Sequence, residues 1–551
     1  MQSNLEQAIK LHQSGQLDTA AHAYSVLLNK HDDNQVHYLL GLLYSQRKEF
    51  QLAIKHLEFS ISANKNNADI FNALALCYQK TGKYKTAEFL IEKAIKLSPD
   101  TPAFCNRKSK ILITANKVSE ALSNSLHCIK SHPDFFPVYQ TYSSISLKNL
   151  RPDNSLRIMK RAFRQMPDNP NVIFSLAEAF HNVGKPEKAS QLFKVLATNN
   201  FKTLESLNNL ANIEREYGDI KLAREYYNQA TKHSDNKSKP IVTWNIGLLD
   251  LLEENFSEGW KNYEDRLNIC DSSSKIDHSK TWHGEDLKNK TVCIIAEQGL
   301  GDQILFSCTF QIIIQSCIRV YIQCDDQLKA CFNRSFPSAK IITDIDQHLL
   351  ETCDFNIFAG SILQYLPPLT GRNKYLVSNS QALPADTDKK LKIGFSWRGG
   401  TNYKDIKKRS THLREWQSLF SNKECQFYCL QHNLSGAEKY HLKMLSPNII
   451  ILPTISKKNN VNELINVCDS MDLIISVTNT VTHIAGALGI KTWCLTPHNP
   501  DWPWGLKNES CLWYESVKLI RKQEQTWKSV FTRVENDLKE LVKTENSTKP
   551  V

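Results

Sequence analysis

The residue types best suited to chemistry lie in three short segments in the second half of the 551-residue chain. The first segment, Glu297–Asp302 (EQGLGD), follows an apolar run that predicts a buried strand. Gly299 and Gly301 let the backbone approach a ligand closely, and the helix that follows offers free N–H groups to an anion. Asp302 falls in the first turn of that helix, where an acid is a good cap and where a general base would also face a cleft. A tight strand-to-helix turn is the alternative explanation of the glycines.

The second segment, Ser396–Ser410 (SWRGGTNYKDIKKRS), is a basic stretch that we expect to be a loop ahead of a helix starting near Thr411. Its cations are Arg398, Lys404, Lys407, Lys408 and Arg409. Repulsion among these charges is costly unless solvent or an anion screens it. The segment therefore predicts either a solvated basic loop or a binding site for a diphosphate.

The third segment, Ser476–Gly489 (SVTNTVTHIAGALG), places hydroxyl and amide side chains directly before a helix of small residues. Asn479, Thr480 and Thr482 can cap the free N–H groups of that helix, and the same helix end can bind a phosphate. His483 falls in the first turn. Capping alone explains Asn479 or Thr480, but it does not explain three such segments that converge on one cleft.

Strands alternating with helices must position these segments. Nine apolar runs predict the strands: TVCIIA, VYIQC, AKIIT, FNIFAG, KIGFSW, CQFYCLQ, NIIILP, DLIISV and KTWCLTP. The alternation predicts parallel sheets in two Rossmann-like halves, residues 291–385 and residues 386–551, the second with a final C-terminal helix. Ligands of such sheets bind at the carboxyl ends of the strands. The loops expected to matter follow Ala296, Trp397, Gln431 and Val477.

Ahead of these halves, one pattern recurs in register every 34 residues. The turn positions are Gly82, Asn116, Leu150, Gly184 and Gly218. Small residues occupy two helix positions: Gly41, Ala75, Ser109, Ser143, Ala177 and Ala211 form one set, and Ala53, Ala87, Ala121, Ser155, Ala189 and Ala223 form the other. Small residues are needed where helices cross closely, and Gly or Asn suits a turn at positive φ. This period is typical of tetratricopeptide (TPR) repeats, and it predicts an α-solenoid of about eight repeats over residues 1–269 and a linker at 270–290. Such an array holds another polypeptide, so a protein partner is expected.

Composition narrows the function classes. The formal charge of +11 suits an anionic ligand, but the charge is widely spread and basic residues are not interleaved with aromatics, so nucleic acid is not an expected partner. We expect neither a signal peptide nor a membrane span. The fifteen cysteines lack CxxC spacing and mostly lie in apolar runs, which favours reduced, buried thiols in a cytoplasmic protein.

The stretch from Trp282 to about Lys543 resembles the GT-B glycosyltransferases related to bacterial heptosyltransferases. The matching motifs are AEQGLGDQILFS, IGFSWRGG with KKRS, and SVTNTVTHIAGALG with TPHNPDWPWG. The whole chain resembles bacterial proteins that place TPR repeats before such a domain, some of which glycosylate flagellin or other proteins. The resemblance implies transfer of a sugar from a nucleotide sugar to Ser or Thr hydroxyls of a protein that the repeats recruit.

The resemblance also implies roles for single residues. Asp302 would be the base that deprotonates the acceptor hydroxyl, and Lys408 and Arg409 would contact the donor phosphates. The remaining donor-binding residues would be Gly299, Gly301, Arg398, Asn479, Thr480 and His483. Relatives often carry Asp at the position of Thr478, so one anionic contact to the donor is missing here. No cofactor and no metal is implied, because Asp325-Asp326 is explained more simply as a charged helix start.

Two other functions stay open. The first is a TPR scaffold whose second half binds a nucleotide without catalysis, and the Thr478 departure favours this function. The second is a transferase that acts on lipopolysaccharide or another glycan, with the repeats serving only to dock a complex.

Overall fold

The computed structural model describes residues 2–31, 33–63, 66–269, 276, 278–366, 374–379, 390–400, 402–453, 455, 460–523 and 526–547. The chain divides into two compact units, residues 1–192 and residues 193–551. Part of the linker predicted at 270–290 and the boundary predicted between residues 385 and 386 lie outside the described residues. The predicted domain limits therefore stay predictions.

Helical hairpins fill the first half of the chain, up to Tyr263. Their helices are α1 (Gln2–Gln13), α2 (Leu17–Lys30), α3 (Asn34–Gln46), α4 (Phe50–Ala63), α5 (Ala68–Lys80), α6 (Tyr84–Leu97), α7 (Pro102–Thr114), α8 (Val118–Ser131), α9 (Phe136–Lys148), α10 (Pro152–Gln165), α11 (Pro170–Asn182), α12 (Pro186–Thr198), α13 (Thr203–Tyr217), α14 (Ile220–Lys232), α15 (Lys239–Leu252) and α16 (Phe256–Tyr263). A 3-10 segment, Glu264–Asn268, continues from α16.

Close helix crossings explain the recurring small residues. A Cβ at Gly41 would lie 2.5 Å from Cγ of Leu57, so α3 and α4 could not approach as they do with a larger residue. The other small residues of the two 34-residue sets are buried as well, apart from half-buried Ser143, which shares a hydrogen bond with Ser155. The prediction of crossing points at these positions is confirmed.

The turns between paired helices follow the prediction with one exception. Positive φ values occur at Gly82 (79°), Asn116 (61°), Leu150 (54°) and Gly184 (71°). The prediction is wrong at Gly218, where φ is −136°. Two residues join α13 to α14, whereas three join the other pairs of this set. In this shorter turn Asp219 caps α14 by accepting from the N–H groups of Lys221 and Leu222.

The second half contains two parallel sheets. Their strands are β1 (Thr291–Ile295), β2 (Arg319–Gln323), β3 (Lys340–Ile342), β4 (Phe355–Phe358), β5 (Leu391–Ser396), β6 (Cys425–Cys429), β7 (Ile449–Ile450), β8 (Leu473–Val477), β9 (Thr492–Thr496) and β10 (Val517–Arg521). All nine predicted strands are present. Strand β10 was not predicted, because two of the five residues in its VKLIR run are charged, so it is neither a continuous apolar run nor a regular alternation.

Helices connect the strands. They are α17 (Leu300–Phe306), α18 (Phe310–Ser316), α19 (Asp326–Ser335), α20 (Gln347–Thr352), α21 (Ile362–Tyr365), α22 (Tyr403–Arg409), α23 (Gln417–Phe420), α24 (Gly436–Leu445), α25 (Val461–Asp469), α26 (Thr480–Leu488) and α27 (Lys528–Ser547). The last of these is the predicted C-terminal helix. Within the described ranges, no helix combines the length and apolarity that a membrane crossing requires.

The strand order of each sheet fixes where a ligand crevice can form. The first sheet has the order β3-β2-β1-β4, and the second has the order β10-β9-β8-β5-β6-β7. In both sheets the chain starts in the middle, builds outward on one side and then crosses to the other. Crevices in such sheets lie at the carboxyl ends of the strands where the order reverses. These reversal points lie between β1 and β4 and between β5 and β8.

The second sheet is tightly packed on the face that α27 covers. Strands β8 and β9 are buried along their whole length, as expected for parallel strands covered on both faces. Phe395 of β5 packs against Trp416 and Phe420, and Trp416 contacts Phe531 of α27 edge-on. None of the fourteen cysteines among the described residues forms a disulfide, and twelve of them are buried. This rigid sheet supports the loops at its carboxyl edge.

We expect Leu150→Gly to stabilise the α9–α10 hairpin by about 1 kcal/mol, because the left-handed conformation is strained for a residue with a Cβ. Little packing is lost, since the Leu150 side chain is 46% exposed. Hydrogen exchange of peptides covering 136–165 should slow accordingly. Leu126→Gly is the matched control, since Leu126 is 41% exposed inside α8, and it should destabilise its hairpin by about 1 kcal/mol. Equal destabilisation by both variants would contradict the strain at Leu150.

Candidate functional site

The glycine loop after β1 brings Asp302 to the edge of the first sheet. Asp302 caps α17, since the Gly299 N–H donates to its Oδ2 at 3.1 Å. A Cβ at Gly301 would lie 3.0 Å from Cδ2 of His483 on α26. The lack of a side chain at Gly301 therefore lets α17 pack directly against α26, which joins the first and third predicted segments.

Asn479 ties together the two loops at the reversal point of the second sheet. Its Oδ1 caps α26 by accepting from the N–H groups of Val481 and Thr482. Its Nδ2 donates to Ser396 Oγ at 2.8 Å and to the Arg398 carbonyl at 3.1 Å. Because both ends of the amide are used within the protein, Asn479 shapes the crevice between β5 and β8.

Residues Tyr403–Arg409 of the basic segment form a helix, so the prediction of a loop throughout the segment is wrong. A helical stretch does begin near Thr411, since a 3-10 segment, Leu413–Trp416, leads into α23. Helix α22 starts after Asn402, whose side chain accepts from the Asp405 N–H. Lys407, Lys408 and Arg409 form its last turn, where cations are favoured by the helix dipole. The local cap and the favourable helix end together explain why this charged stretch forms a helix.

Carboxylates neutralise several cations of this segment. Lys404 Nζ lies 2.7 Å from a carboxylate oxygen of Glu216 on α13, and Arg409 forms an ion pair with Asp501. Arg398 Nη2 lies 3.4 Å from Glu438 Oε1. These pairs relieve much of the repulsion among the cations, because carboxylates of the protein itself screen them.

Lys408 differs from these three cations. Among the described residues, no carboxylate lies within ion-pair distance of its ammonium. Burial is the main factor that lowers the pKa of Lys408, and the nearby charges of Arg215 and Arg409 act in the same direction. Asp501 and Glu216 partly oppose that shift. An anion bound here would relieve an unfavourable, half-buried positive charge.

Charged residues from the region of the second sheet influence the pKa of Asp302. Its pKa is raised to about 6, mainly by burial and further by the negative charges of Asp501 and Glu297. The Gly299 N–H and Arg409 pull the pKa down but do not overcome burial. A carboxylate with this pKa is ionised at neutral pH, yet it is a stronger base than an exposed Asp.

His483 is packed into the protein. Its side chain is 8% exposed, Nδ1 lies 2.9 Å from the Tyr514 hydroxyl, and the ring lies against Trp504. Burial, helped by the charge of Arg409, lowers its pKa to about 3. His483 is therefore neutral at physiological pH. Thr480, the first residue of α26, is half-buried beside it.

Three buried polar atoms near the second crevice find no hydrogen-bond partner within the part of the chain that the structure describes. They are Arg398 Nε, Arg409 Nε and Thr478 Oγ1. Their residues meet at Gly399, which follows Arg398 and where a Cβ would lie 2.9 Å from the Thr478 carbonyl oxygen and 3.6 Å from Cβ of Arg409. Buried donors left unpaired are costly, so this cluster fits a site that a polar ligand completes.

The reversal point of the first sheet is occupied by the protein itself. Arg266, from the 3-10 segment after α16, is 2% exposed and donates to both carboxylate oxygens of Glu297, at 2.5 and 2.6 Å. Glu297 also accepts from the Gly360 N–H, which follows β4. The crevice between β1 and β4 is therefore filled by a buried ion pair.

Aromatic side chains join α16 to both sheets. Trp260 meets Trp502 and Trp513 edge-on, and Trp502 stacks on Phe306 of α17. Trp260 therefore packs against residues of the α/β region. Sequence reasoning missed Arg266 and Asp501 as site residues. Only Asp501 had a signal, since it lies within one of the quoted motifs.

Two segments, residues 68–101 and residues 204–234, match sequence models of the tetratricopeptide repeat. The chain thus carries an N-terminal solenoid of TPR repeats, which are typical of protein-binding scaffolds, followed by an α/β region with parallel sheets. It is 20% identical over 544 residues to Protein FlbA of Caulobacter vibrioides, across 93% of this chain and 91% of that protein.

Other similarities cover the repeats. A TPR repeat-containing thioredoxin of Arabidopsis thaliana is 24% identical over 104 residues, which are 19% of this chain and 15% of that protein. A solved tetratricopeptide repeat protein from Parabacteroides merdae covers 44% of this chain with 95% of its own length, at 15% identity and a TM-score of 0.35.

We expect Asp302→Asn to stabilise the protein at pH 7.5 by roughly 1–3 kcal/mol, because a carboxyl with a raised pKa is costly to ionise when buried. For an acid whose folded pKa exceeds the unfolded value, stability falls as pH rises from about 4 through about 6. The variant should therefore match the wild type near pH 4 and exceed it at pH 7.5 in urea unfolding. Asp325→Asn, which alters the cap of α19, measures the loss of a capping carboxylate alone. A pH-independent difference between Asp302→Asn and the wild type would contradict the raised pKa.

Proposed function

We propose that the chain is a metal-independent glycosyltransferase of the GT-B type, which moves a sugar from a nucleotide sugar to a Ser or Thr hydroxyl of a protein held by the TPR repeats. The observation that carries this proposal is the crevice between β5 and β8. There Gly399 lies against Asn479 at the amino end of α26 and against Arg409, the residue after the half-buried Lys408. Buried polar atoms of Arg398, Arg409 and Thr478 find no partner there among the described residues.

The crevice of the second sheet suits the nucleotide better than the crevice of the first sheet. The equivalent crevice of the first sheet is filled by Arg266 and Glu297, a charge pair that a ligand would have to displace. At the second crevice a diphosphate would complete hydrogen bonds that the protein leaves open. It would also neutralise the charge of Lys408.

The proposed reaction uses Asp302 of α17 as the base and the cations Lys408 and Arg409 to stabilise the leaving group. Asp302 takes the proton of the acceptor hydroxyl, whose oxygen attacks the anomeric carbon of the sugar as the bond to the phosphate oxygen breaks. Lys408 and Arg409 stabilise the negative charge that grows on the departing phosphate. The raised pKa of Asp302 suits it to accept a proton near neutral pH.

A second function, nucleotide binding without catalysis in a TPR scaffold, is favoured by one observation. Arg409 is already paired with Asp501, so its charge is not free for phosphate unless that pair opens. Transfer to a glycan instead of a protein would use the same chemistry and differs only in what the repeats hold. Flagellin is one protein acceptor that the sequence resemblance suggests.

Intact mass spectrometry decides between these functions. The full chain is incubated with candidate acceptor proteins, including flagellin, and a panel of nucleotide sugars. A mass increase of one or more sugar residues on Ser or Thr supports protein glycosylation. Nucleotide binding without any mass increase favours the scaffold, and sugar added only to a glycan favours the third function.

We expect Lys408→Ala to weaken the binding of nucleoside diphosphate by about 10-fold or more, because a charge-assisted bond to phosphate contributes about 1.5–3 kcal/mol. Lys407→Ala is the matched control, since it removes the same charge from the neighbouring, exposed residue. Isothermal titration calorimetry with UDP and GDP measures both variants. Equal affinities of the two variants would mean that the segment acts only through its overall charge.

We expect Asp302→Asn to lower kcat by about 10²–10⁴-fold, the usual contribution of a general base. Donor affinity should stay unchanged, because Asn can still cap α17. In the wild type, kcat should rise with pH through about 6, where Asp302 loses its proton. Near-normal transfer by the variant would remove Asp302 from the mechanism.

A further inference from the structure

The end of the repeat array reaches the loop that carries the proposed base. Arg266 lies in the 3-10 segment Glu264–Asn268, directly after the last helix of the array. Its guanidinium stacks over the Tyr263 ring, with 4.5 Å between the guanidinium carbon and the ring centroid. Besides Glu297, it donates to Glu264 Oε1 at 2.7 Å and to Ser361 Oγ at 2.9 Å. One buried side chain thus joins the array to the loops after β1 and β4.

A second contact holds the next residue of the glycine loop. Gln298 has a left-handed backbone with φ of 60°, and its Nε2 donates to the Tyr263 hydroxyl at 2.5 Å. Gln298 immediately precedes Gly299, whose N–H is fixed to Asp302. The array therefore holds Glu297 and Gln298, the two residues that set the direction in which α17 starts.

Arg266, Glu297 and Tyr263 pack closely against Gly360, in the loop after β4. A Cβ at Gly360 would lie 3.1 Å from Arg266 Nη2, from Glu297 Oε1 and from Cε1 of Tyr263. A left-handed residue such as Gln298 is strained and persists only where its surroundings fix it. The contacts from Tyr263 and Arg266 supply that restraint.

We propose that Arg266, with Tyr263, is a positioning residue for Asp302: the last TPR repeat orients the base through Glu297 and Gln298. The inference rests on the proposed function. It makes the last repeat part of the catalytic apparatus as well as part of the protein-binding array. A ligand that displaced the end of the array would thereby misplace the base.

The test compares Arg266→Lys, which keeps the charge but loses the planar fork, with Tyr263→Phe, which keeps the ring but loses the hydroxyl. Arg224→Lys is the matched control, since Arg224 also pairs with two carboxylates, Asp250 and Glu253, but not with the glycine loop. The full chain is used throughout. The readouts are kcat, the KM for the donor, and hydrogen exchange of peptides covering 298–306.

We expect both test variants to lower kcat by about 10- to 100-fold, because a misplacement of about 1 Å can have that effect. The KM for the donor should change by less than about 2-fold, since the donor binds to the second sheet. Hydrogen exchange at 298–306 should accelerate in both variants and stay unchanged in Arg224→Lys. Unchanged kcat and unchanged exchange in folded Arg266→Lys and Tyr263→Phe would overturn the proposal.

The neutral double variant Arg266→Met/Glu297→Gln separates positioning from simple burial of charge. If the ion pair only balances charge, the double variant should have the Tm and the kcat of the wild type, and that result would overturn the proposal. If it positions the base, Tm should recover while kcat stays low. Should the wild type transfer no sugar at all, the proposed function fails. Exchange at 298–306 still decides whether the array holds the loop, and unchanged exchange counts against it.

Discussion

The side chain of Asn479 is the interaction on which the candidate site depends. The reversal of strand order brings the loops after β5 and β8 side by side, and Asn479 then bonds to the helix end below it and to both Ser396 and Arg398 across the gap. That amide fixes the N-terminus of α26 relative to the loop after β5. The Gly399 N–H then donates to Ser410 Oγ at 3.2 Å, which joins the glycine turn to the residue after α22. The crevice is thus built before any ligand arrives, which is what preorganised electrostatic stabilisation requires.

Charge balance around this crevice is the second feature that shapes the account. Glu216 and Asp501 pair with Lys404 and Arg409, so the charges of these two cations are balanced within the protein. Lys408 is left as a half-buried cation, and burial together with Asp501 raises the pKa of Asp302. A bound phosphate would compete with Asp501 for Arg409. The same carboxylate therefore influences both the proposed donor site and the proposed base.

The sequence predicts much of the fold because the relevant signals are local. Strands such as β8 are continuous apolar runs, since both faces of the sheet are buried. The repeats are recognisable from the small residues, such as Ala53, that recur where helices cross. Strand β10 was missed because its five residues include two charges and form neither a continuous apolar run nor a regular alternation. The φ value of Gly218 was predicted wrongly because it depends on where α13 ends, which the 34-residue spacing does not reveal.

The site was predicted less completely, for a physical reason. The helical state of α22 depends on local capping by Asn402, but its charges are balanced by Glu216, 188 residues away. Arg266 meets Glu297 across 31 residues. Partners this distant leave no periodic or motif signal. The sequence therefore identified cations and a carboxylate, but it could not tell which of them are already paired.

The central claim is that a nucleoside diphosphate binds between β5 and β8 and not between β1 and β4. The most direct measurement is a crystal structure of the full chain with UDP or GDP, whichever binds more tightly in calorimetry. We predict diphosphate oxygens within hydrogen-bond distance of Lys408 Nζ and of the first N–H groups of α26. A diphosphate at the edge between β1 and β4, with Arg266 displaced from Glu297, or the absence of binding by either nucleotide in calorimetry, would contradict the account.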